Sequence, residues 1–171
     1  MPIATPEKYR EMLDAARNGR YALPAINVTS STTIVAALEG LSQAGSDGIL
    51  QVSYGGGEFA SGQSNRSMAV GAIALAEFAV VVAEQYPVNV ALHTDHCPPE
   101  RVDGFIRPIL EESRRRKDQG RGPVFQSHML DASELPMEEN LALARELLDL
   151  CAELDIILEL ESGRASCRER V

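Results

Sequence analysis

The feature that most constrains this chain is a regular alternation of short apolar strands with helices, which begins at Tyr21 and continues to Glu161. The predicted strands are four to six residues long and almost continuously apolar. Strands of this kind are buried on both faces, which is typical of a parallel sheet covered by helices. The five predicted strands span residues 21–26, 48–52, 88–92, 123–126 and 156–160.

Local capping signals predict where several helices begin and end. Thr5 is a suitable N-cap with Pro6 in the first turn, and the Thr/Ser cluster at 29–33 caps a second helix that Gly45 ends. An Ala- and Val-rich helix over 67–86 is apolar on more than one side. A further helix over 137–154 is expected to turn four residues inward, namely Leu141, Ala144, Leu148 and Cys151.

Polar residues follow the carboxyl end of each predicted strand. In barrels and open α/β sheets this edge is where ligands bind. One such residue would be ordinary, but a polar group after every strand predicts an active-site rim. The rim residues are Asn27, Ser53, Asp95 with His96, His128 with Asp131, and Glu161.

The stretch 87–99 is the most informative part of this rim, because His93, Asp95, His96 and Cys97 follow an apolar strand. An imidazole that ligates a metal, beside a carboxylate that moves protons, is the arrangement that a metal-assisted acid–base site needs. A structural interpretation competes with it, in which His93 is a hydrogen-bonded core histidine and Asp95 caps a helix. From this stretch alone, both interpretations stay open.

Two other stretches have simpler interpretations. The glycines at 55–57 match neither a Walker loop nor a dinucleotide fingerprint, so a flexible turn is expected rather than an anion site. The basic run 114–117 falls at the end of a predicted helix, where cations complement the helix dipole. A solvated helix end explains this run better than a phosphate or nucleic-acid patch.

Composition excludes several functional classes. A formal net charge of −9 argues against nucleic acid or an anionic membrane as a partner. No apolar run approaches a membrane span, and the first residues lack a basic, apolar signal. The three cysteines are widely spaced, which is typical of reduced thiols in the cytoplasm rather than of a disulfide framework.

Five stretches in register resemble class II fructose-bisphosphate aldolases of the actinobacterial kind. The His-Thr-Asp-His-Cys run is the most specific of them, and the likeness covers residues 1–161. The five stretches are Tyr-Ala-Leu-Pro-Ala-Ile-Asn (21–27), Ala-Gly-Ser-Asp-Gly-Ile (44–49), Pro-Val-Asn-Val-Ala-Leu-His-Thr-Asp-His-Cys-Pro (87–98), Phe-Gln-Ser-His-Met (125–129) and Ile-Leu-Glu-Leu-Glu (157–161).

The resemblance implies an α/β fold, the TIM (β/α)8 barrel. A complete barrel needs roughly 250 residues, so about five βα units at the N-terminal side of a truncated barrel are expected here. Residues 1–162 would form this partial barrel domain. Residues 163–171 are basic where the family continues with an acidic, Gly-rich stretch, so we expect a non-native tail there.

The resemblance also implies an activity. The family uses zinc to cleave fructose 1,6-bisphosphate reversibly into dihydroxyacetone phosphate and glyceraldehyde 3-phosphate, a step of glycolysis, and it works as a homodimer or tetramer. By this likeness His96 matches a zinc ligand. Asp131 and Glu161 match acidic residues that serve alternative or second metal positions, although solvated strand-end carboxylates would look the same.

Further roles come from the same likeness. Asp95 matches the acid–base residue that handles the proton of the C4 hydroxyl group, and Asn27 and Ser53 match positions that line the substrate pocket. For His128 we expect a supporting role near the site or a role in packing.

The family's other two zinc histidines, its mobile-loop glutamate and its main phosphate-binding loop would all lie beyond residue 161. We therefore expect this polypeptide to be inactive alone. Three alternatives remain: a tagatose-bisphosphate or other zinc ketose-phosphate aldolase, a non-catalytic α/β module that binds an anion at 55–57, and a redox or structural protein that relies on Cys97.

Overall fold

The computed structural model describes residues 3–161, which form a five-stranded parallel sheet with helices between consecutive strands. The strands lie side by side in chain order, so each pairs with the strand that follows it. All five carboxyl ends therefore reach one edge of the sheet. The strands are β1 (Ala25–Asn27), β2 (Gly48–Val52), β3 (Val90–Cys97), β4 (Ser127–Asp131) and β5 (Ile157–Glu161).

The helices begin where the capping chemistry predicts. The Thr5 side chain accepts a hydrogen bond from the Lys8 amide, and Ser30 forms a reciprocal capping box with Thr33. Gly45 ends the second helix in the left-handed conformation. The helices are α1 (Pro6–Gly19), α2 (Ser31–Ala44), α3 (Tyr54–Ala60), α4 (Met68–Ala83), α5 (Ile106–Asp118), which follows a 3₁₀ helix at Pro99–Gly104, and α6 (Met137–Glu153).

The two faces of the sheet are covered differently. The outer face packs against the helices in one large apolar core, which includes Leu50, Leu92 and Leu130. On the inner face a smaller cluster joins Ala91 to Tyr9 and Met12 of α1. Helix α1 therefore closes the amino end of the inner face, and the polar residues lie toward its carboxyl end.

Three strand boundaries differ from the prediction because hydrogen bonding overrides the apolar pattern. Tyr21 is 54% exposed and its amide bonds to the end of α1, so β1 starts only at Ala25. Strand β3 continues through its polar residues to Cys97, because they pair with β4 and are interrupted only by a bulge. Strand β4 occupies Ser127–Asp131 rather than 123–126.

Helix α6 is rotated relative to the prediction. Ala144 and Cys151 are buried as expected, but Leu141 and Leu148 are 54% and 50% exposed. The cause is Asn140, whose buried side-chain amide donates to the backbone carbonyls of Ala132 and Glu161 and so fixes the face that α6 presents to the sheet.

The basic run at the end of α5 is not simply solvated, which corrects the prediction. Arg116 is only 4% exposed, and its guanidinium pairs with Glu112 at 3.0 Å and with Glu77 of α4. Because a buried guanidinium needs a carboxylate partner, this arginine links α5 to α4.

Among the described helices, none is both long and apolar enough to cross a membrane.

The glycines at 55–57 form a helix and not a flexible turn. They lie in α3, which crosses directly over α4. A methyl group on Gly57 would overlap the Met68 carbonyl, and one on Gly71 would overlap the Gly57 carbonyl. Glycine at these two positions therefore permits backbone-to-backbone contact between the helices.

Replacing Gly71 with alanine should lower the free energy of unfolding by about 1–3 kcal/mol or more, because the new methyl group meets an immovable carbonyl. Gly55 is the matched control. It lies in α3, the helix that Gly71 of α4 contacts, and has open space around its Cα. Gly55→Ala should be neutral or stabilising by up to about 1 kcal/mol. Urea unfolding of both variants measures this, and equal effects would contradict the proposed contact.

Candidate metal and acid–base site

The predicted rim residues other than His128 lie at or near the carboxyl ends of their strands. Asn27 ends β1, Asp95 and His96 lie near the end of β3, and Asp131 and Glu161 are in register at the ends of β4 and β5. Two pairs form within this set, and each pair joins two strands. Each pair involves one member of the Asp95–His96 dipeptide.

The first pair is Asn27 with Asp95. The Asn27 side-chain amide donates to Asp95 Oδ2 at 2.9 Å, although β2 lies between their strands in the sheet. Asp95 lies inside β3, and Pro98 precedes the following 3₁₀ helix, so the helix-cap interpretation of Asp95 is wrong. Among residues 3–161 no hydrogen bond reaches the other carboxylate oxygen of Asp95, which leaves it free for a ligand.

The second pair is His96 with Asp131. His96 Nδ1 lies 2.8 Å from Asp131 Oδ2, and the other oxygen of Asp131 accepts the Ser133 hydroxyl at 2.6 Å. The hydrogen bond to Asp131 raises the pKa of His96, while Ser133 first and His96 next lower the pKa of Asp131. With Nδ1–H donating to the carboxylate, Nε2 of the half-exposed His96 ring is left as a lone-pair donor.

The orientation of His96 suits a metal ligand. Metal-ligating histidines in proteins almost always donate their second ring N–H to a carboxylate, a carbonyl or water, and His96 does so to Asp131. Catalytic zinc usually takes three protein ligands. Within residues 3–161 no group of three or more His, Cys, Asp or Glu side chains is arranged to hold a metal. The donors described here therefore fit one part of a zinc site.

Ser53 and Glu161 reach the same edge but join neither pair. Ser53 caps α3, with its hydroxyl oxygen accepting the Gly56 amide at 3.1 Å. The backbone carbonyl of Glu161 accepts from Asn140, and its carboxylate makes no hydrogen bond to another described side chain. Its charge nevertheless contributes to the raised pKa of His96, which indicates that the two groups are near each other.

His93 is a buried polar group beneath the site, and the sequence left its role open without placing it among the rim residues. His93 Nδ1 lies 2.7 Å from the Ser127 hydroxyl, and Nε2 lies 3.7 Å from Glu159. Burial lowers the pKa of His93 to about 4. His93 is thus the hydrogen-bonded core histidine of the structural interpretation. The alternation of side chains along β3, which places His93 and Asp95 on one face, was the available signal.

His128 faces the helices and not the site. It is fully buried, its Nδ1 lies 2.8 Å from Thr94 Oγ1, and Nε2 lacks a partner among the described residues. Burial lowers its pKa to about 3. Of the two roles expected for His128, this environment corresponds to packing.

Cys97 offers little to a redox function. It is completely buried, and burial raises the pKa of its thiol to about 12. Because the thiolate is the reactive form, this sulfur is a poor nucleophile. The residues at 163–171, including Cys167, lie outside the described part of the chain.

A family profile described as Fructose-bisphosphate aldolase class-II matches residues 7–170. The chain belongs to this family. It is 58% identical to a fructose-bisphosphate aldolase of Streptomyces galbus over 161 residues, and 57% identical to that of Mycobacterium tuberculosis over 163 residues. These alignments cover 94% and 95% of this chain but 47% of each relative. The chain therefore spans about half the length of the curated relatives it matches.

Solved structures of aldolases also match this chain. A fructose-bisphosphate aldolase from Campylobacter jejuni matches with a TM-score of 0.88 and 33% identity, over 94% of this chain and 46% of that one. An aldolase from Escherichia coli K12 matches with a TM-score of 0.66 and 25% identity, over 92% and 52% of the two chains. The predicted α/β fold, the first five strands of a truncated TIM barrel, is confirmed, and within residues 3–161 the first four of these strands are each followed by a helix.

The three histidines of this chain should titrate separately in NMR spectra of the metal-free protein. His96 should titrate above its ordinary pKa, and His93 and His128 far below theirs. Asp131→Asn should lower the pKa of His96, because the hydrogen-bonded carboxylate is removed. Asp103→Asn removes an exposed carboxylate elsewhere and should not change it. A His96 pKa that is unchanged in Asp131→Asn would contradict the pair.

The buried histidines should also make stability fall with acid. Their folded pKa values lie below the ordinary 6.5, so between about pH 6.5 and pH 4 the unfolded chain binds protons that the folded chain does not. The free energy of unfolding should then fall by up to about 1.4 kcal/mol per pH unit for each histidine. Urea unfolding across this range measures the slope. His128→Gln should reduce the slope of the free energy of unfolding against pH, whereas His96→Gln, which replaces an exposed histidine, should not.

Proposed function

We propose that this chain forms part of a zinc-dependent class II aldolase that cleaves fructose 1,6-bisphosphate into dihydroxyacetone phosphate and glyceraldehyde 3-phosphate. The observation that carries the proposal is the pair of consecutive residues Asp95 and His96, each held by its own partner from another strand. One residue is oriented as a proton carrier and the other as a metal ligand, and both lie at the carboxyl edge of the sheet, where TIM-barrel enzymes hold their catalytic groups.

Asp95 is the group that moves a proton in this proposal. Cleavage of the bond between C3 and C4 of the sugar requires the C4 hydroxyl to lose its proton, and a carboxylate with one unbonded oxygen can accept it. Asn27 binds the opposite oxygen at 2.9 Å and so fixes the direction of the free one. Asn27 thus positions Asp95 in addition to lining the substrate pocket.

His96 would hold the metal through Nε2. When bound, zinc supplies a Lewis acid that polarises the ketone oxygen of the sugar. Asp131 uses its two oxygens for His96 and Ser133, so it is better suited to orient the imidazole than to bind the same ion. The carboxylate of Glu161 accepts no hydrogen bond within residues 3–161, and it is the acidic group left to serve a second metal position.

Ser53 is available to the substrate. Its oxygen accepts the Gly56 amide, which leaves the hydroxyl proton free to donate to a sugar or phosphate oxygen. Fructose and tagatose bisphosphates differ in the stereochemistry of one hydroxyl group. The fructose compound is proposed because the relatives from Streptomyces galbus and Mycobacterium tuberculosis are named as fructose-bisphosphate aldolases. Tagatose bisphosphate remains the second candidate.

The anion-binding alternative at the glycines finds less support. The Gly56 and Gly57 amides already donate to the Ser53 side chain and backbone carbonyl within α3. We propose instead a cytoplasmic, homo-oligomeric aldolase, dimer or tetramer, that acts on a small sugar bisphosphate and on neither nucleic acid nor membranes. The net charge of −9 supports the last point.

The proposal is tested in a chimera in which residues 1–161 replace the matching half of the Streptomyces galbus relative. A coupled assay should detect zinc-dependent cleavage of fructose 1,6-bisphosphate. Asp95→Asn should lower kcat by about 10²- to 10⁴-fold, because the proton acceptor is lost. Asn27→Ala should lower it by about tenfold, since one hydrogen bond to a charged group is removed.

Asp103→Asn is the matched control, since this carboxylate is 89% exposed and lies outside the site. It should leave kcat unchanged. The 171-residue chain by itself should show no turnover, because the residues described here supply only part of a zinc site. Equal activity of the chimera with and without the Asp95→Asn substitution, or stoichiometric zinc with turnover in the isolated chain, would refute the proposal.

A further inference from the structure

A cavity of about 380 Å³ opens at the amino ends of β3 and β4, at the opposite end of these strands from Asp95 and His96. The start of the chain reaches it, since Ile3 bridges to Val90, the first residue of β3. Its volume lies within the range of roughly 300–1,000 Å³ that is typical of small-molecule sites. We call it the amino-face cavity, and its walls include Ile3, Val80, Glu84, Arg116, Arg121 and Gln126.

Gln126 places an unpaired hydrogen-bond donor in this cavity. The residue is only 3% exposed, and its Oε1 accepts the Leu92 amide at 2.8 Å. That bond fixes the orientation of the side chain and leaves Nε2 as the donor end, which bonds to no group within residues 3–161. Among the described residues, His128 Nε2 is the one buried side-chain atom that is sealed without a partner. Gln126 Nε2 therefore keeps some accessible surface, and the cavity accounts for it.

Arg116 supplies a second donor of the same kind. It is 4% exposed, and two of its nitrogen atoms are occupied, Nε by Glu112 at 3.0 Å and Nη2 by Glu77. Its Nη1 donates to no group in the described part of the chain, and it is not sealed in the core either. A donor that is withdrawn from water without an acceptor is destabilising. Two such donors on one cavity indicate that a hydrogen-bond acceptor enters it.

The ion pairs behind the cavity leave an excess of positive charge. They run from Arg115 to Glu112, then to Arg116, Glu77 and Arg121, so three guanidinium groups share two carboxylates. Arg121 is half exposed, and its one bond, to Glu77, is 3.4 Å long. Its other nitrogen atoms are therefore available to an acceptor in the cavity. In a chain with a net charge of −9, this is a local site for an anion.

Few groups on the cavity compete for these donors. The carbonyls of Arg116 and Lys117, at the end of α5, already accept backbone amides of residues 119–121. Glu84 is the one carboxylate among the lining residues, and it is exposed at the end of α4. Because solvent screens an exposed charge, Glu84 should weaken the binding of an anion without preventing it.

The remaining walls restrict the class of anion. Ile3, Val80 and Pro123 are apolar and line the same cavity as the donors. Phosphate carries oxygen on every side and would place some of it against these apolar groups. A carboxylate has both oxygens at one end, where they match the planar fork of a guanidinium group. Its alkyl group can then cover the apolar walls.

We propose that the amino-face cavity binds a small aliphatic carboxylate. Its oxygens accept hydrogen bonds from Arg116, Arg121 and Gln126, and its alkyl group packs against Ile3 and Val80. Active sites of TIM barrels lie at the carboxyl face, so this site is separate from the catalytic one and does not rest on the proposed function. Loss of either proposal leaves the other intact.

NMR titration of the ¹⁵N-labelled 171-residue chain tests the site directly. Butyrate should shift the side-chain amide resonances of Gln126 in a saturable manner, whereas the neutral butyramide should bind at least about tenfold more weakly because charge-assisted hydrogen bonds are lost. Affinity should rise from acetate through propionate to butyrate by about fourfold for each methylene group buried. Inorganic phosphate should bind more weakly than butyrate.

Substitutions at exposed positions test the donors without disturbing the core. Arg121→Gln should lower the affinity for butyrate about tenfold, since a charged donor is removed. Arg145→Gln is the matched control, because Arg145 is an exposed arginine on α6 that does not line the cavity, and it should leave the affinity unchanged. Glu84→Gln should raise the affinity about twofold. Circular dichroism should show equal helix content in all these proteins.

The chimera with residues 1–161 carries the same cavity and should give the same order of affinities. Several results would each overturn the proposal. They are the absence of a saturable shift at Gln126, equal affinities for acetate and butyrate, phosphate or butyramide binding as tightly as butyrate, and equal effects of Arg121→Gln and Arg145→Gln.

Discussion

The pairing of β3 with both of its neighbours is the constraint on which the site depends. Strand β3 is the longest of the five and the middle one, and it carries the Asp95–His96 dipeptide. Its ladder with β4 pairs Thr94 before the dipeptide and Cys97 after it, so the dipeptide lies in a bulge that is held on both sides and not on a loop. The bulge between Thr94 and Cys97 interrupts the regular alternation of side chains there, and Asp95 and His96 bond to different partners at the same edge of the sheet.

Separate partners give the two residues separate chemical states. His96 shares a proton with a carboxylate whose own pKa is lowered by Ser133, so its ring is oriented through Nδ1. Asp95 Oδ2 accepts a hydrogen bond from the side-chain amide of Asn27. Because this amide is neutral, it orients the carboxylate without placing a charge beside it. Adjacent residues thus serve as metal ligand and proton carrier in the proposed function, and neither partner is adjacent in the chain.

The sequence predicted the structural features that depend on residues close together in the chain, and it missed the side-chain contacts that depend on residues far apart in the chain. The caps at Thr5 and Ser30 were predictable, since capping acts within three residues. The rotation of α6 was not, because Asn140 fixes it by bonding to carbonyls outside the helix. Likewise the rim residues were identifiable, but the bond between Asn27 and Asp95, 68 positions apart, needed the fold.

Two of the exposed apolar surfaces on the described residues differ in their position relative to the sheet. At β5 and α6 the surface lies beside a free sheet edge, where Leu160 is 41% exposed and where the relatives, about twice as long, have chain to add. At α4 the surface includes Val81 and lies in the middle of the arc of strands, between helices already in place. Completing the barrel would cover the first surface and leave the second bare. Position in the sheet order, rather than hydrophobicity, therefore separates the surface that further strands could cover from the one that they could not.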